Sequence, residues 1–262
     1  MNVLNMLPSC IKGTHDGGTL ILRLSRPEKK NSLNDQLVLG LSTVFASLTS
    51  DICGVVIHGE GDNFCAGLDL NEVKESGMDE GFQTTVIGQR LNNLVQDCPV
   101  PVIAVLHGAV IGGGLELAAA AHIRVAESST FYALPEGVRG IFLGSGGSVR
   151  IPRLIGTARV MDMMLTGRTY NAEEGYRIGL SQYLVNQGEG MSTALDLAKK
   201  VARNAPLANY AILRALPLIV EQDPVNGLLT ERLMTTLAQS DEEAKRRLRD
   251  FLDHKLNKVP PI

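Results

Sequence analysis

Short apolar runs alternate with segments of helical periodicity along the first two-thirds of the chain. The run at 54–58 (GVVIH) has no polar face, which is typical of a strand buried on both sides of a sheet. The segment 33–48 has apolar residues at helical spacing, with Asn34 or Asp35 as its N-cap. This alternation of strands and helices predicts an α/β fold. The predicted strands are 19–25, 54–58, 101–106, 123–126, 130–134 and 180–185, and the predicted helices are 33–48, 82–95, 115–121, 156–167 and 172–178.

The last quarter of the chain has a different pattern. From Met191 onward nearly every segment fits a helix, with breaks near Pro206, Pro224 and Ser240. The sequence therefore predicts two modules, an α/β core at 1–190 and a helical region at 191–262.

Composition and charge exclude several classes of protein. The 262 residues carry a net charge of -3, with 44% hydrophobic and 20% charged residues. This is an ordinary globular composition, and it argues against disorder, a nucleic-acid partner or an anionic membrane surface. No run reaches the roughly 20 apolar residues of a membrane span, and no signal peptide is recognised, so we expect a cytoplasmic protein.

The spacing of cysteine and histidine argues against a metal site. The four cysteines form no CxxC pair, and no two histidines have the spacing of metal ligands. We expect free thiols and no metal. His58, His107 and His122 fit buried structural roles better than catalytic ones.

Two glycine-containing motifs could present backbone N–H groups to a ligand. The turn at 64–70 (FCAGLDL) follows a buried strand, and its small residues leave backbone N–H groups uncovered. An ordinary strand-to-helix turn capped by Asp69 is the alternative. Gly112, Gly113 and Gly114 open a predicted helix whose unpaired N–H groups could bind an oxygen that becomes negative during a reaction.

Two glutamates are candidates for acid–base chemistry. Glu116 lies in the apolar run LELAAAA, where a carboxylate needs a partner, exposure or a raised pKa. Glu136 follows Pro135 at the end of a predicted strand, where loops build sites. Two carboxyl groups around one water can act as base and acid. The alternatives are that Glu116 is an ordinary glutamate at a helix N-terminus, where the helix dipole stabilises its charge, and that Glu136 is a surface-loop residue.

Five segments, in order along nearly the whole chain, resemble the crotonase superfamily, the enoyl-CoA hydratase/isomerase family. The resemblance implies a spiral of ββα units with a C-terminal helical region that forms trimers, usually paired into hexamers. It also implies a coenzyme A thioester as substrate, with CoA as part of the substrate and no separate cofactor. The segments are 25–33 (SRPEKKNSL), 64–70 (FCAGLDL), 107–118 (HGAVIGGGLELA), 133–156 (ALPEGVRGIFLGSGGSVRIPRLIG) and 164–180 (MLTGRTYNAEEGYRIGL).

The resemblance also implies roles for individual residues. The backbone N–H groups of Ala66 and Gly113 would form an oxyanion hole for the thioester carbonyl. Glu116 would help to activate water for attack at the β-carbon, and Glu136 would supply the α-proton. The implied substrate-binding residues are Lys29 (or Lys30) for the CoA phosphates, Ala66, Leu68, Asp69 and Leu70 around the adenine, and Leu134, Leu143 and Gly144 near the acyl group.

The chain departs from the family pattern at a few positions. Leu134 stands where Gln is common, Leu143 where Pro is common, and His122 where Asp is common. These changes affect the acyl pocket and remove no catalytic group. The segment GVRGIFLGSGGSVR also differs from the commonest short-chain hydratases, so a hydratase of a specialised pathway is the expectation. An isomerase or another crotonase-type lyase remains the alternative within the fold.

Two other classes of function fit the sequence less well. RNA binding needs a basic patch, and the first predicted helix has no Lys or Arg. A non-catalytic subunit would have no need of both glutamates.

Overall fold

The computed structural model describes residue 4, residues 7–69 and residues 77–253. The strands are β1 Ile11–Asp16, β2 Thr19–Leu24, β3 Gly54–Gly59, β4 Val102–Leu106, β5 Ala109–Ile111, β6 Ile123–Glu127, β7 Phe131–Ala133, β8 Thr169–Asn171 and β9 Tyr183–Val185. The helices are α1 Asp35–Ala46, α2 Met78–Gln96, α3 Gly113–Ala120, α4 Gly147–Ile155, α5 Thr157–Thr166, α6 Ala172–Ile178, α7 Gly190–Ala202, α8 Pro206–Tyr210, α9 Leu216–Glu221, α10 Pro224–Ser240 and α11 Glu242–Leu252.

The strands of the described chain form two sheets. The larger has six strands in the order β1-β2-β3-β4-β6-β9, and the smaller has three in the order β5-β7-β8. Strands β2, β3, β4, β6 and β9 pair in parallel, and β1 pairs with β2 in antiparallel orientation. The loops that follow the parallel strands therefore leave from one edge of the larger sheet, where sites are commonly built.

Apolar side chains cover both faces of the larger sheet. Val55 and Ile57 of β3 point into the main core, which also contains side chains of α1 and α2. Val56 points to the opposite face, where Ala194 and Leu197 of α7 pack on it. Each fully buried aliphatic side chain of this kind contributes roughly 1.5–3 kcal/mol.

Most predicted elements are present, and the fold class is confirmed as mixed α/β with helices at the C-terminal end. The N-cap of α1 is Asn34, whose side chain accepts a hydrogen bond from the N–H of Leu37. Four elements were not predicted. They are β1, β5, β8 and α4.

The chain divides into two compact units, Met1–Lys199 and Lys200–Ile262. Helix α7 begins at Gly190 and belongs for most of its length to the first unit. The module boundary after residue 190 stays a prediction. In the described part of the chain, no helix combines the length and the apolar character that crossing a membrane requires.

The second unit consists of helices. Helix α10 is capped by Asp223, whose carboxylate accepts the N–H groups of Val225 and Asn226. Its glycine Gly227 lies close to the carbonyl of Ile219 in α9, where a Cβ would be 3.2 Å from that oxygen. In the single chain, about half of the surface of each leucine in α10 is exposed. These leucines are Leu228, Leu229, Leu233 and Leu237.

Candidate active site

The turn after β3 is held by backbone hydrogen bonds to β5. The N–H of Cys65 donates to the carbonyl of Ala109 at 3.0 Å, and the N–H of Ile111 donates to the carbonyl of Cys65 at 3.1 Å. The turn also packs against the first turn of α3. Gly114 lies at this contact and has no room for a side chain, because a Cβ there would clash with the carbonyl oxygen of Cys65. The turn and the start of α3 are therefore fixed against each other.

The N–H of Ala66 does not face the site. It donates to the carbonyl of Lys30 at 3.0 Å, so the predicted role of Ala66 as an oxyanion donor is wrong. The neighbouring nitrogen of Leu68 faces Gly113 instead, 3.7 Å from the position that a Cβ on Gly113 would occupy. Within the described residues, the N–H groups of Leu68 and Gly113 have no acceptor. Two backbone donors that face one space can bind an oxygen atom.

The family resemblance assigned the donor role to Ala66, which lies in a turn of small residues. The N–H of Ala66 is not available to a ligand, because the carbonyl of Lys30, 36 positions earlier in the chain, accepts it. The local signal for Leu68 is the preceding Gly67, whose positive φ of 96° turns the next peptide.

Glu116 lies in the first turn of α3 and is only 4% exposed. Its Oε1 accepts two backbone hydrogen bonds of 2.8 Å, from the N–H groups of Ser145 and Gly147. Gly147 must lack a side chain here, because a Cβ would lie 2.5 Å from Cγ of Glu116. Burial raises the pKa of Glu116, whereas these two N–H groups and the charge of Arg150 act to lower it.

Glu136 is placed after β7, at the start of a short 3₁₀ turn, and is 6% exposed. A Cβ on Gly112 would lie 2.6 Å from its Oε1, and Gly112 has a positive φ of 51° that favours glycine. Its Oε2 is buried without a hydrogen-bond partner among the described residues. Burial raises the pKa of Glu136 to about 7; the charge of Glu116 also raises it, and Arg139 opposes the change.

The two carboxyl groups therefore lie in different environments. Glu116 receives hydrogen bonds that stabilise a carboxylate, whereas the buried Oε2 of Glu136 favours the protonated form near neutral pH. Burial raises the pKa of both groups, and their different hydrogen bonds favour Glu116 as the base and Glu136 as the acid. The charge of Glu116 acts on Glu136, and Oε1 of Glu136 lies beside Gly112, directly before the helix that carries Glu116, so the pair lies within one site.

A comparison with known families shows to which family the chain belongs. A family model described as enoyl-CoA hydratase/isomerase matches residues 14–258. The chain belongs to the enoyl-CoA hydratase/isomerase family. This confirms the resemblance to the crotonase superfamily.

Similar proteins and structures carry the same description. A short-chain-enoyl-CoA hydratase of Clostridium acetobutylicum is 33% identical over 74% of this chain and 75% of its own length. A crystal structure from Rhodopseudomonas palustris CGA009, provisionally described as an enoyl-CoA hydratase, has a TM-score of 0.93 and 56% identity, covering 95% of this chain and 96% of that one. An enoyl-CoA hydratase structure from Bacillus anthracis has a TM-score of 0.89 and 28% identity, with coverages of 94% and 97%.

Of the residues predicted to contact CoA, some are exposed and others are buried inside the chain. Lys29 and Lys30 are exposed, and the carbonyl of Lys30 binds the turn through Ala66. Asp69 is buried, and its carboxylate forms a 2.7 Å ion pair with Arg26, which gives it a structural contact inside the chain. Leu70 lies outside the described residues.

The predicted acyl-side residues are mostly buried. Leu134 follows β7 and is fully buried, and Leu143 is 6% exposed. Gly144 is half-buried, and a Cβ on it would lie 3.5 Å from Oγ1 of Thr85 in α2. Both leucines belong to the main apolar core, and Leu143 lies two positions before Ser145 in the loop that binds Glu116.

The histidines of this family member have structural contacts. Nδ1 of His122 accepts the N–H of Val102 at 2.9 Å, and its Nε2 lies 2.9 Å from the carbonyl oxygen of Gln96. Burial lowers the pKa of His58 to about 4 and also lowers the pKa of His107. Among the described residues, no three His, Cys, Asp or Glu side chains are grouped as a metal site would require.

Proposed function

We propose that the protein is an enoyl-CoA hydratase that adds water across the 2,3-double bond of a 2-enoyl-CoA thioester. The observation that carries this proposal is the pair of buried carboxyl groups with opposite hydrogen-bond environments. Glu116 accepts two N–H groups on one oxygen, whereas Oε2 of Glu136 is buried without a partner among the described residues. Hydration needs one group to take a proton from water and another to give a proton to carbon.

The thioester carbonyl would accept the N–H groups of Leu68 and Gly113. As the water oxygen bonds to the β-carbon, the electrons of the double bond move towards this carbonyl and its oxygen gains negative charge. A donor aimed at such an oxygen lowers the barrier by roughly 3 kcal/mol. Gly113 also lies at the N-terminus of α3, where the helix dipole favours negative charge.

The two glutamates would complete the addition. Glu116 takes a proton from the attacking water, and Glu136 gives its proton to the α-carbon as the carbonyl re-forms. The product is a 3-hydroxyacyl-CoA, and one proton exchange with solvent returns both groups to their starting state. Each group should contribute roughly 10²–10⁴-fold to the rate.

The CoA moiety belongs to the substrate and is not a separate cofactor in this proposal. Its phosphates would bind near Lys29 and Lys30, whose segment is attached to the turn through the Lys30 carbonyl. Two exposed cations suit a phosphate group.

We also infer that the protein is a homo-oligomer, a trimer or a dimer of trimers. The support is family membership together with the exposed leucines of α10, since a single chain leaves them about half exposed to water. Light scattering at micromolar concentration tests this inference, and a monomeric mass would reject it.

The reaction is tested with a series of 2-enoyl-CoA thioesters in ¹⁸O-water. We expect loss of the conjugated-enone absorbance and one ¹⁸O atom in the 3-hydroxyacyl product, found by mass. Glu116→Gln and Glu136→Gln should each reduce kcat by at least ~10²-fold. Glu80→Gln is the matched control, because Glu80 is exposed on α2.

The second candidate within the family is an enoyl-CoA isomerase. Its support is the raised pKa of Glu136, since one carboxyl group near neutral pH can shuttle a proton between two carbons. An isomerase would put no solvent oxygen into its product. Product without ¹⁸O, or undiminished hydration by Glu136→Gln, would therefore contradict the hydratase proposal.

A further inference from the structure

Two side chains donate hydrogen bonds to the loop 144–147, whose N–H groups bind Glu116. The carbonyl of Ser145 accepts a hydrogen bond of 2.8 Å from Nδ2 of Asn92 and a longer one of 3.4 Å from Nη1 of Arg150. Asn92 comes from α2 and Arg150 from α4, so the loop is held from two elements. Neither side chain was singled out by sequence reasoning.

The carbonyl of Ser145 belongs to the peptide unit between the two donors to Glu116. These donors are the N–H groups of Ser145 and Gly147, which bind Oε1 of Glu116. The carbonyl of Gly146 accepts the N–H groups of Val149 and Arg150, so the first turn of α4 holds the N–H of Gly147. The hydrogen bonds to the Ser145 carbonyl anchor the other side of the loop, where the N–H of Ser145 donates.

The cost of burying Asn92 supports a specific role for it. Its side chain is 2% exposed, and its Oδ1 has no hydrogen-bond partner among the described residues. A buried polar atom without a partner is destabilising. A leucine of similar size would avoid that cost but could not donate to the carbonyl of Ser145.

Arg150 adds a charge in a fixed place. Its Nε donates to the side chain of Gln96 and its Nη2 to that of Asn93, both on α2. A guanidinium held at both edges cannot swing away from the loop, and its positive charge favours the carboxylate form of Glu116.

Other charged groups act on the same site. Glu136 lies near enough to Glu116 for the two charges to interact, and Arg139 acts on Glu136. Asp97, after the end of α2, acts on Arg150. Of these groups, Arg150 is the one that also donates a hydrogen bond to the loop that binds Glu116.

We propose that Asn92 and Arg150 are positioning residues. By donating hydrogen bonds to the carbonyl of Ser145, they hold the loop that keeps Glu116 as an oriented carboxylate. The consequence for catalysis rests on the proposed function, in which Glu116 is the base. The orientation and ionisation of Glu116 in the free protein do not depend on which reaction follows.

The first test measures Glu116 without substrate. Infrared difference spectra across a pH series follow its carboxylate, and the contribution of Glu116 is identified by its loss in Glu116→Gln. We expect the midpoint of Glu116 to rise by about one pH unit in Arg150→Gln and in Asn92→Leu, and by less in Arg150→Lys. Arg153→Gln, on the same helix, should leave the midpoint unchanged.

The second test measures hydration of a 2-enoyl-CoA against pH. In Arg150→Gln and Asn92→Leu the acidic limb of kcat should move to higher pH by the same amount, with KM nearly unchanged. At a pH below the midpoint this shift is a loss of about tenfold. Arg150→Lys should recover part of the activity.

The outcomes separate the two proposals. If folded variants, checked by circular dichroism, keep the midpoint of Glu116 unchanged, the positioning role is overturned. If the midpoint shifts as expected but the native protein hydrates no enoyl-CoA, the positioning role stands and the proposed function fails.

Discussion

Replacing Glu136 by Gln should stabilise the folded protein at pH 8 and remove part of its pH dependence. Burial raises the pKa of Glu136 from 4.5 to about 7. At low pH the carboxyl group is protonated in both the folded and the unfolded chain. As pH rises from about 4.5 to 7, the unfolded chain loses this proton while the folded chain keeps it, so the native protein loses stability over that window.

The size of the effect follows from the shift. Each pKa unit corresponds to 1.36 kcal/mol, so a rise from 4.5 to about 7 lowers the free energy of unfolding at pH 8 by roughly 3 kcal/mol at most. Relaxation of the protein around the charged group reduces this loss to about 2–3 kcal/mol. Gln has nearly the shape of a protonated Glu and cannot ionise. The Glu136→Gln variant should therefore gain this amount over the native chain between pH 4.5 and pH 8.

Urea unfolding followed by far-UV circular dichroism measures this difference, because the chain contains no Trp for fluorescence. Protein concentration is held fixed, since association stabilises the folded state. Glu80→Gln, on the exposed side of α2, controls for the loss of a surface charge. A difference between Glu136→Gln and the native chain that stays constant from pH 4.5 to 8 would refute the reasoning.

Two further predictions concern the candidate site, and a third concerns the buried ion pair between Asp69 and Arg26. Gly113→Pro removes one of the two facing N–H groups, and kcat should fall by roughly 10²–10³-fold in an assay with 2-enoyl-CoA. Gly147→Ala places a Cβ 2.5 Å from Cγ of Glu116, so we expect that carboxylate to be displaced and kcat to fall by at least ~10²-fold with the fold intact by circular dichroism. Asp69→Ala leaves Arg26 without its buried partner, and urea unfolding should show a loss of about 3–5 kcal/mol.

Each of these predictions can be contradicted by a definite result. A Gly113→Pro variant that folds by circular dichroism and keeps its kcat would exclude the donor role of Gly113. Gly77→Ala should be silent, because a Cβ there meets nothing within 4 Å. Glu173→Ala removes an exposed pair with Arg177 and should cost less than about 1 kcal/mol, and an equally small cost in Asp69→Ala would contradict the buried-pair argument.

The sequence predicted elements whose stability comes from their own apolar pattern. Strand β3 was predicted at nearly its full length, because Val55, Val56 and Ile57 are buried whichever face they point to. Strand β1 (IKGTHD) has no such pattern and exists through its pairing with β2. Helix α4 was missed because it begins with glycines and contains Pro152, both of which disfavour a helix in isolation.

The sequence indicates those candidate site residues whose local context is unusual. Glu116 and Glu136 stand out because each is a carboxylate in an unusual local context. The choice between Ala66 and Leu68 as a donor depends on an acceptor at Lys30, which no local pattern shows. The contact between Asn92 and Ser145 spans 53 positions, and an asparagine in a helix carries no signal of such a partner.

The short ladder between Cys65 and β5 has a consequence for how this chemistry can change. It joins the strand-like turn that carries Leu68 to the segment that leads into Gly113. The distance between the two N–H groups is therefore set by main-chain pairing and is insensitive to side-chain replacement. In the proposed function, substitutions at the two carboxyl groups would alter which proton moves, whereas the space between the two N–H donors would keep its dimensions. The proposed reaction type and the proposed oxyanion binding are therefore separable.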